Sequence, residues 1–286
     1  MTQSAVSQAM QQLEESLGVQ LIDRSKRPLV LTEAGITYLS GVRDVLRRYQ
    51  TLTEEVQSIG QRLRGTLKIG SVYSVGLSYL PEAMEEFAER HPDVDVRFEF
   101  GTSERVFEMT TSGQIDLGLV SFSKNTKQLR SIPWLNEPMK LVCSSAHPLA
   151  QKSEIRLAEL QGIEMVGIER GLRLRKEVDK CLSSAGVSVD VRMEFDNADS
   201  MIRAIQANRG IGIVPEAAVR RETANGLLRV VACRELRLTR PLGIIFRRSG
   251  SLGRAASEFG SLLLGRPMEE KRKTENQEIG PGSIVA

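Results

Sequence analysis

The sequence lacks the residue patterns that disulfides and metal centres require. Its three cysteines, Cys143, Cys181 and Cys233, are odd in number and isolated, so the sequence predicts reduced thiols that pack as small apolar residues. The two histidines, His91 and His147, each precede a proline and have no Cys, Asp or Glu at ligand spacing. We therefore predict structural histidines and no metal site.

Signatures of catalysis and of membrane insertion are missing as well. There is no P-loop, zinc quartet or serine-nucleophile elbow, and residues 210–215 lack the third glycine of a dinucleotide loop. No apolar run approaches the length of a bilayer span, and no signal segment opens the chain. The sequence predicts a cytoplasmic protein that is not an enzyme, with no catalytic residue, no cofactor and no membrane partner.

Charge of neither sign dominates the composition. The 286 residues include 39 Lys and Arg against 36 Asp and Glu, which leaves a net charge of +3. At this balance, affinity for nucleic acid must come from a local cluster of cations rather than from the whole chain. The length is sufficient for about two domains.

The first segment is predicted to be a short amphipathic helix. Val6, Met10, Leu13 and Leu17 recur at helical spacing, which predicts one buried face, and the segment is bounded by Thr2 as N-cap and Gly18 as stop. Its other face carries uncharged side chains that can donate and accept hydrogen bonds toward base edges. These side chains are Gln3, Ser4, Ser7, Gln8 and Gln11.

A β-hairpin is predicted next. Residues 19–24 and 29–32 are short apolar runs on either side of a basic turn that contains Pro28. The cations at its tip, Arg24, Lys26 and Arg27, would meet phosphates and orient the helix in the groove. From these residues alone, a small amphipathic helix with an ordinary exposed hairpin explains the pattern equally well.

These segments resemble the LysR-type transcriptional regulators, and the resemblance continues to about Leu264. It implies that Thr2, Gln3, Ser4, Ser7 and Gln8 face the major groove, that Arg24, Lys26 and Arg27 form the wing contacts, and that Thr32 touches phosphate. The residues that carry it are Gln3-Ser4-Ala5-Val6-Ser7, Leu13-Glu14-Glu15-Ser16-Leu17-Gly18-Val19-Gln20-Leu21-Ile22-Asp23-Arg24 and Leu31-Thr32-Glu33-Ala34-Gly35.

Members of that family carry two further helices before the recognition helix, whereas this sequence begins at that helix. Two interpretations stay open: the true start lies upstream of Met1, or the chain is a truncated relative that binds DNA weakly or not at all. The expected partner is double-stranded DNA, provided that the missing helices are restored.

A long helix with an apolar stripe is predicted after the hairpin. The stripe alternates steps of four and three residues, which is the pattern of a helix that packs on another helix. We favour dimerisation over coverage by the chain's own domain, and the resemblance implies a homodimer or homotetramer. The stripe consists of Tyr38, Val42, Val45, Tyr49, Leu52, Val56, Ile59 and Leu63, and Gly60 and Gly65 mark the hinge that follows.

The remaining sequence alternates strands and helices, which predicts an α/β fold with parallel strands in two similar lobes and a cleft between them. It resembles the effector-binding domain of the same family, whose fold is shared with periplasmic solute-binding proteins. The predicted strands are 67–70, 94–100, 117–120, 165–168, 189–195, 211–214 and 242–246. The predicted helices are 77–90, 106–112, 173–185, 198–208 and 252–264.

The predicted fold class is thus α/β, with a partial winged helix-turn-helix, a long linker helix and a two-lobed periplasmic-binding-protein-like effector domain. The predicted domains are 1–32 for DNA binding, 33–64 for the linker and 66–268 for the effector domain. Lobe I spans about 66–137 and 240–268, lobe II about 138–239, and the charged tail 269–286 is predicted to be disordered.

Polar loops at the ends of the strands predict the ligand site, because ligands of such folds bind outside the carboxyl ends of the strands. Hydroxyls and free N–H groups at helix starts suit an anion, although a role as N-caps alone explains each of them as well. By resemblance, Ser74, Thr102 and the loop around Asn197 match family effector contacts. The predicted effector-binding residues are Ser71, Tyr73, Ser74, Thr102, Ser103 and Asn197.

The sequence therefore predicts a DNA-binding transcriptional regulator whose activity is modulated by a small, anionic metabolite bound between two α/β lobes. The alternative is a cytosolic solute-binding or sensor protein that has lost DNA binding through truncation. Restoring upstream codons and measuring DNA binding distinguishes the two.

Overall fold

The computed structural model describes residues 2–57, 63–249 and 252–268. The predicted disordered tail 269–286 lies outside the described residues, as do Ile59 and Gly60 of the predicted linker. Within the described ranges, no helix is long and apolar enough to cross a membrane.

The N-terminal part consists of α1 (Gln3–Leu17), β1 (Ile22–Asp23), β2 (Val30–Leu31) and α2 (Glu33–Gln57). The next series comprises β3 (Gly65–Val72), α3 (Tyr73–Arg90), β4 (Val94–Gly101), α4 (Ser103–Thr111), β5 (Leu117–Ser121) and β6 (Leu129–Ser144). The chain ends with β7 (Glu164–Ile168), α5 (Arg173–Ser184), β8 (Asp190–Phe195), α6 (Ala198–Gln206), β9 (Gly212–Pro215), α7 (Arg220–Ala224), β10 (Leu228–Val231), β11 (Thr239–Arg247) and α8 (Arg254–Leu264).

The boundaries of the first helix are confirmed, but its predicted buried face is not. The Thr2 hydroxyl caps α1 by accepting the N–H of Ala5, and Gly18 ends it at a φ of 70°. None of the described side chains of α1 is buried, and Val6 is 49% exposed. The prediction of a buried face was wrong because none of the described elements packs extensively against this helix.

The hairpin is confirmed, with shorter strands than predicted. β1 and β2 pair antiparallel, with Ile22 opposite Leu31 and Asp23 opposite Val30. α1, β1 and β2 together are called the helix–hairpin unit below.

A mixed sheet joins the two lobes. It has seven strands in the order β10-β6-β11-β5-β3-β4, and β9 also pairs with β6. Parallel pairing is confirmed for β3 with β4 and β5, and for β7 with β8. The predicted late strand 242–246 lies within β11, which runs antiparallel to both β5 and β6, so the sheet is mixed.

The connection between the lobes was not predicted. β6 is 16 residues long, and its first part, up to Pro138, pairs with β11. From Met139 onward it pairs with β9 and β10 in the second lobe. The first lobe therefore contains β3–β5, β11, α3, α4 and α8, the second contains β7–β10 and α5–α7, and β6 continues from the first into the second.

Each lobe has its own apolar core. In the first lobe, Phe87 of α3 and Phe259 of α8 are buried edge to face, with ring centroids 5.2 Å apart. In the second lobe, Leu141, Met165 and Ile213 lie in one cluster of buried side chains. These two cores hold the loops that border the space between them.

Candidate ligand cleft and nucleic-acid interface

A cavity of about 650 Å³ lies between the lobes. The first lobe contributes the residues after β3, β4 and β5 to its lining, and the second contributes those after β7 and β8. This is the location that open α/β sheets use for ligands.

Five of the six predicted effector-binding residues line this cavity. They are Tyr73, Ser74, Thr102, Ser103 and Asn197. Ser71 does not line it: its side chain is buried in β3, and its hydroxyl donates to the carbonyl of Val72 at 3.0 Å.

The predicted start of the first helix of the lobe was wrong. α3 begins at Tyr73 rather than at residue 77, so Tyr73 and Ser74 lie in its first turn and not in a preceding loop. The start was missed because its N-cap residue, Val72, makes no side-chain capping bond, and the sequence therefore carries no start signal there. The ring of Tyr73 stacks on that of Phe100, with centroids 5.3 Å apart.

Two helix N-termini meet at the cavity. Thr102 caps α4 by accepting the N–H of Arg105 at 3.3 Å, and Asn197 caps α6 by accepting the N–H of Ser200 at 2.8 Å. The alternative role as N-caps thus holds for both residues, and both also line the cavity. Because helix N-termini carry partial positive charge, two of them on one cavity favour an anionic occupant.

A buried ion pair that the sequence did not reveal lies beside Ser74. The Arg240 Nε donates to Glu137 Oε2 at 2.8 Å, and Arg240 Nη1 donates to Ser74 Oγ at 2.9 Å. Arg240 also lines the cavity, although only 3% of it is exposed. The carboxylate of Glu137 neutralises Arg240, so this corner of the cavity offers oriented donors rather than net charge.

Tyr79 completes this cluster. Its hydroxyl donates to Glu137 Oε1 at 3.0 Å. Burial, followed by the negative charge of Glu137, raises the pKa of Tyr79 to about 12. The phenol therefore remains a hydrogen-bond donor to Glu137 at neutral pH.

Further charges line the cavity at exposed positions. Lys124, Arg105 and Arg173 are the cations, and Glu104 and Asp196 are the carboxylates. Arg105 lies 3.4 Å from Glu108, whereas the guanidinium carbon of Arg173 lies 4.6 Å from the centroid of the Phe122 ring.

The side chains predicted to face the major groove are exposed along α1. They are Gln3, Ser4, Ser7 and Gln8. Thr2 is exposed too, but its hydroxyl serves as the N-cap and lies 3.0 Å from Ser4 Oγ.

An acidic residue that the sequence analysis did not predict anchors the hairpin. Glu14 Oε1 accepts the N–H groups of Leu21 and Ile22 at 2.7 and 3.0 Å, and Glu14 Oε2 accepts from Arg24 at 2.9 Å. The two backbone bonds, reinforced by Arg24, lower the pKa of Glu14. Arg24, one of the predicted phosphate contacts, is thus paired within the helix–hairpin unit.

The other predicted phosphate contacts also have intramolecular partners. Lys26 lies 3.8 Å from Asp23, and Arg27 donates to the carbonyls of Arg24 and Lys26 at 2.9 and 3.0 Å. Thr32 donates its hydroxyl proton to the carbonyl of Gln20 at 2.7 Å and accepts the N–H of Gly35 at 3.0 Å. Its hydroxyl therefore joins the hairpin to the first turn of α2.

The apolar stripe of α2 is largely open to solvent. Val45 is 69% exposed, Tyr49 70%, Leu52 47% and Val56 60%. Leu63 is buried, but it lies beyond the end of α2.

A cleft between two α/β lobes, connected by a long helix to a helix–hairpin unit, defines a ligand-responsive regulator with a periplasmic-binding-protein-like domain. Comparison with known families agrees with this. Residues 60–267 match the LysR substrate binding domain, and residues 1–36 match the bacterial regulatory helix-turn-helix protein, lysR family. The chain belongs to the LysR family of transcriptional regulators.

Relatives and solved structures cover most of the chain. The hydrogen peroxide-inducible genes activator of Haemophilus influenzae is 27% identical over 252 residues, which are 88% of this chain and 83% of that protein. Full-length OxyR from Pseudomonas aeruginosa superposes with a TM-score of 0.75 at 20% identity, over 92% of this chain and 86% of that one. The regulatory domain of Synechocystis CcmR gives a TM-score of 0.64 at 22% identity, over 71% and 97%. At these identities the solved structures show the fold alone.

Proposed function

We propose that a small anionic metabolite binds between the two lobes and modulates binding of the helix–hairpin unit to double-stranded DNA. The observation that carries the proposal is the convergence of the α4 and α6 N-termini on one cavity, next to the hydroxyl of Ser74. Two structural neighbours support it, because each was solved with a bound small molecule: 2-PG in the regulatory domain of CcmR and shikimate in the effector binding domain of QuiR.

The active form in this proposal is a cytoplasmic homodimer or homotetramer. The exposed apolar stripe of α2 supports pairing with a second copy, since Val45, Tyr49 and Val56 are each at least 60% exposed. Burying such a stripe in a helix pair removes apolar surface from water.

The proposed mechanism is a shift between lobe arrangements. An anion that contacts both lobes binds the closed arrangement more tightly and raises its population. The lobes move relative to each other at the two points where the chain passes between them, 138–139 and 238–239, next to Glu137 and Arg240. α2 then changes its position relative to its copy, which alters the spacing of the two helix–hairpin units on DNA.

Calorimetric titration with sulfate, 2-phosphoglycolate, shikimate and benzoate tests the ligand site, on wild type and on Ser74→Ala and Thr102→Ala. We expect at least one anion to bind, and each variant to weaken it by about tenfold, because each loses a hydrogen bond to a charged group. Ser183→Ala, which removes an exposed hydroxyl on α5, is the matched control and should bind as wild type. Equal affinities in all four proteins would place the site elsewhere.

A second candidate function has a structural observation in its favour. Arg24, Lys26 and Arg27 each have an intramolecular partner, which lowers their availability to phosphate. A sensor protein that no longer binds DNA is consistent with this arrangement.

Binding to the DNA that flanks the gene, measured against salt concentration, distinguishes the two functions. The chain is compared with a version extended by the upstream in-frame codons. For the regulator, we expect binding by the extended chain, with a salt slope that Lys26→Gln reduces by about one. The absence of salt-dependent binding by both chains would favour the sensor.

A further inference from the structure

Phe122, at the edge of the cleft, has an unusual backbone conformation. Its φ is 52°, and Asn208 is the one other non-glycine residue with positive φ in the described ranges. Asparagine tolerates this conformation, whereas a bulky aromatic residue is an outlier there. Backbone strain of this kind persists where the surrounding structure fixes it, and it concentrates at ligand sites.

The surrounding structure fixes Phe122 through β11. Its N–H donates to the carbonyl of Pro241 in β11 at 2.7 Å, directly beside Arg240 in sequence. Ser121, immediately before Phe122, pairs with Leu242 in the sheet. The backbone bond therefore turns the chain at the end of β5, and the ring of Phe122 forms part of the cavity wall.

A cation from the opposite lobe covers this ring. Arg173 is the first residue of α5, and its guanidinium carbon lies 4.6 Å from the ring centroid of Phe122. Its nearest described carboxylate, Glu177, is 4.0 Å away, at the limit of an ion pair. Arg173 is thus a cation with weak compensation, held on an aromatic face across the cleft, whereas the charge of Arg240 is already neutralised by Glu137.

Five large apolar side chains line the same cavity. Phe107 and Phe122 come from the first lobe, and Ile168, Leu172 and Leu174 come from the second. A phosphate ester or a polyhydroxylated acid would leave these five side chains against polar groups. An apolar ring with one carboxylate satisfies both the wall and the cation.

We propose that Phe122 and Arg173 select the ligand of this cleft, and that the ligand is a monocarboxylate with a flat aromatic body. The inference rests on the proposed function and narrows it. The carboxylate of the ligand pairs with Arg173, and its ring packs against Phe122 and the other apolar side chains of the cavity wall. Since the two residues belong to different lobes, a ligand that contacts both also holds the lobes together.

The first experiment asks whether the cleft recognises the carboxylate, the aromatic ring or both together. Calorimetric titrations use benzoate, acetate as the charge without the ring, benzyl alcohol as the ring without the charge, and 2-phosphoglycolate as a polar anion. We expect benzoate to bind more tightly than the other three by about tenfold or more, because only benzoate uses both parts of the site. Tighter binding of 2-phosphoglycolate than of benzoate would overturn this inference and leave the proposed function intact. Binding of none of the four would count against both.

Substitutions test the two residues. Arg173→Gln is expected to lower benzoate affinity by about tenfold, and Arg173→Lys by less, because Lys keeps the charge but loses the planar stack. Arg203→Gln is the matched control, since Arg203 is also exposed and paired one helical turn away, with Asp199, but on a surface outside the cleft. Loss of benzoate binding in the control to the same degree would contradict a specific role for Arg173.

Phe122→Asn tests whether the unusual backbone serves the ligand. Asparagine accepts positive φ, so this variant should melt no lower than wild type while it loses benzoate affinity. A lower melting temperature with unchanged benzoate affinity would mean that Phe122 has a structural role, and would overturn the proposal.

Discussion

Arg247, at the end of β11, pairs with Asp44 of the long helix α2, with Arg247 Nη2 2.6 Å from Asp44 Oδ2. The two residues are separated by 203 positions in sequence, and the Arg247 side chain is only 10% exposed. A second cavity, of about 520 Å³, lies between α2 and α4, and Phe107 lines both this cavity and the ligand cleft. The ion pair therefore fixes the linker helix to the first lobe, and Phe107 connects the space beside this helix with the cleft where we propose that ligand binds.

Removal of the Asp44–Arg247 pair should loosen α2 from the lobe. We expect a double-mutant cycle with Asp44→Ala and Arg247→Ala to give a coupling free energy of unfolding of about 1 kcal/mol, since one partner is half exposed. Denaturant unfolding of the four proteins gives the coupling free energy. Hydrogen exchange of the α2 amides then shows whether the helix opens more readily in the variants. The exposed Arg64–Asp93 pair is the control and should couple weakly. Equal coupling in both pairs would show that the Asp44 contact has no special role.

Acid should detach the hairpin from α1. The pKa of Glu14 is lowered below its ordinary value of 4.5 by the N–H groups of Ile22 and Leu21. Its stabilising effect is therefore complete above that ordinary value and is lost as the pH falls through the lower folded value. NMR titration of the Leu21 and Ile22 amides measures this. Glu14→Gln should remove the transition. Glu15→Gln is the control and should keep the transition, because the Glu15 carboxylate accepts a hydrogen bond from Gln11 on the same helix and does not contact the hairpin amides.

Gly35→Ala should separate α2 from the hairpin. A Cβ at this position would lie 2.0 Å from the carbonyl oxygen of Leu21, and a backbone atom cannot yield as a flexible side chain does. We expect a loss of about 1–3 kcal/mol in the free energy of unfolding. Gly41→Ala in the same helix meets nothing within 4 Å and should instead stabilise by up to about 1 kcal/mol. Thermal unfolding of both variants checks the contrast, and equal effects would contradict the packing argument.

Glu137→Gln should strongly destabilise the pairing of β6 with β11. The substitution leaves Arg240 buried without its counter-charge, which costs about 3–5 kcal/mol in comparable buried pairs. Denaturant unfolding measures the loss. Glu216→Gln, which removes an exposed partner of Lys140, should change stability little. A loss below about 1 kcal/mol for Glu137→Gln would mean that water reaches Arg240.

The thiols should react slowly at neutral pH. Burial raises the pKa of Cys143 to about 11, and burial also raises the pKa of Cys181 and Cys233. Since the thiolate is the reactive form, labelling by a thiol-specific disulfide reagent should be slow at pH 7 and should accelerate as the pH rises. Urea-unfolded protein provides the fully reactive control. Rapid labelling of the folded chain at pH 7 would contradict the expected role as packed apolar residues.

Local signals predicted the parts of this molecule that depend on neighbours in sequence. α1 follows from its apolar period and from Thr2 and Gly18, and the N-cap positions of Thr102 and Asn197 follow from residue type. α3 was placed too late because Val72 supplies no capping side chain. Local chemistry is sufficient where a helix end is capped by its own sequence.

The parts that depend on distant pairing were not predictable. Glu137 and Arg240 become neighbours only when β6 and β11 pair, and they are 103 residues apart. β6 was missed because Pro133 and Pro138 argue against a strand interior, although both lie within this strand. Phe122 carries no signal for positive φ, since its residue type disfavours that conformation. The Glu137–Arg240 ion pair and the backbone conformation of Phe122 could therefore be identified only from the folded structure.

The two passages of the chain between the lobes also make the second lobe topologically an insertion into the first. Pro138 and Thr239 are partners in the sheet, and the N–H of Met139 donates to the carbonyl of Leu238 at 3.0 Å. The chain thus leaves the first lobe and returns to it at adjacent positions, as the two stems of a hairpin do. A tight turn could bridge those positions. The first lobe and the long helix would then form one continuous chain with the same order of strands. An ancestor without the second lobe therefore needs no rearrangement of the strands that remain.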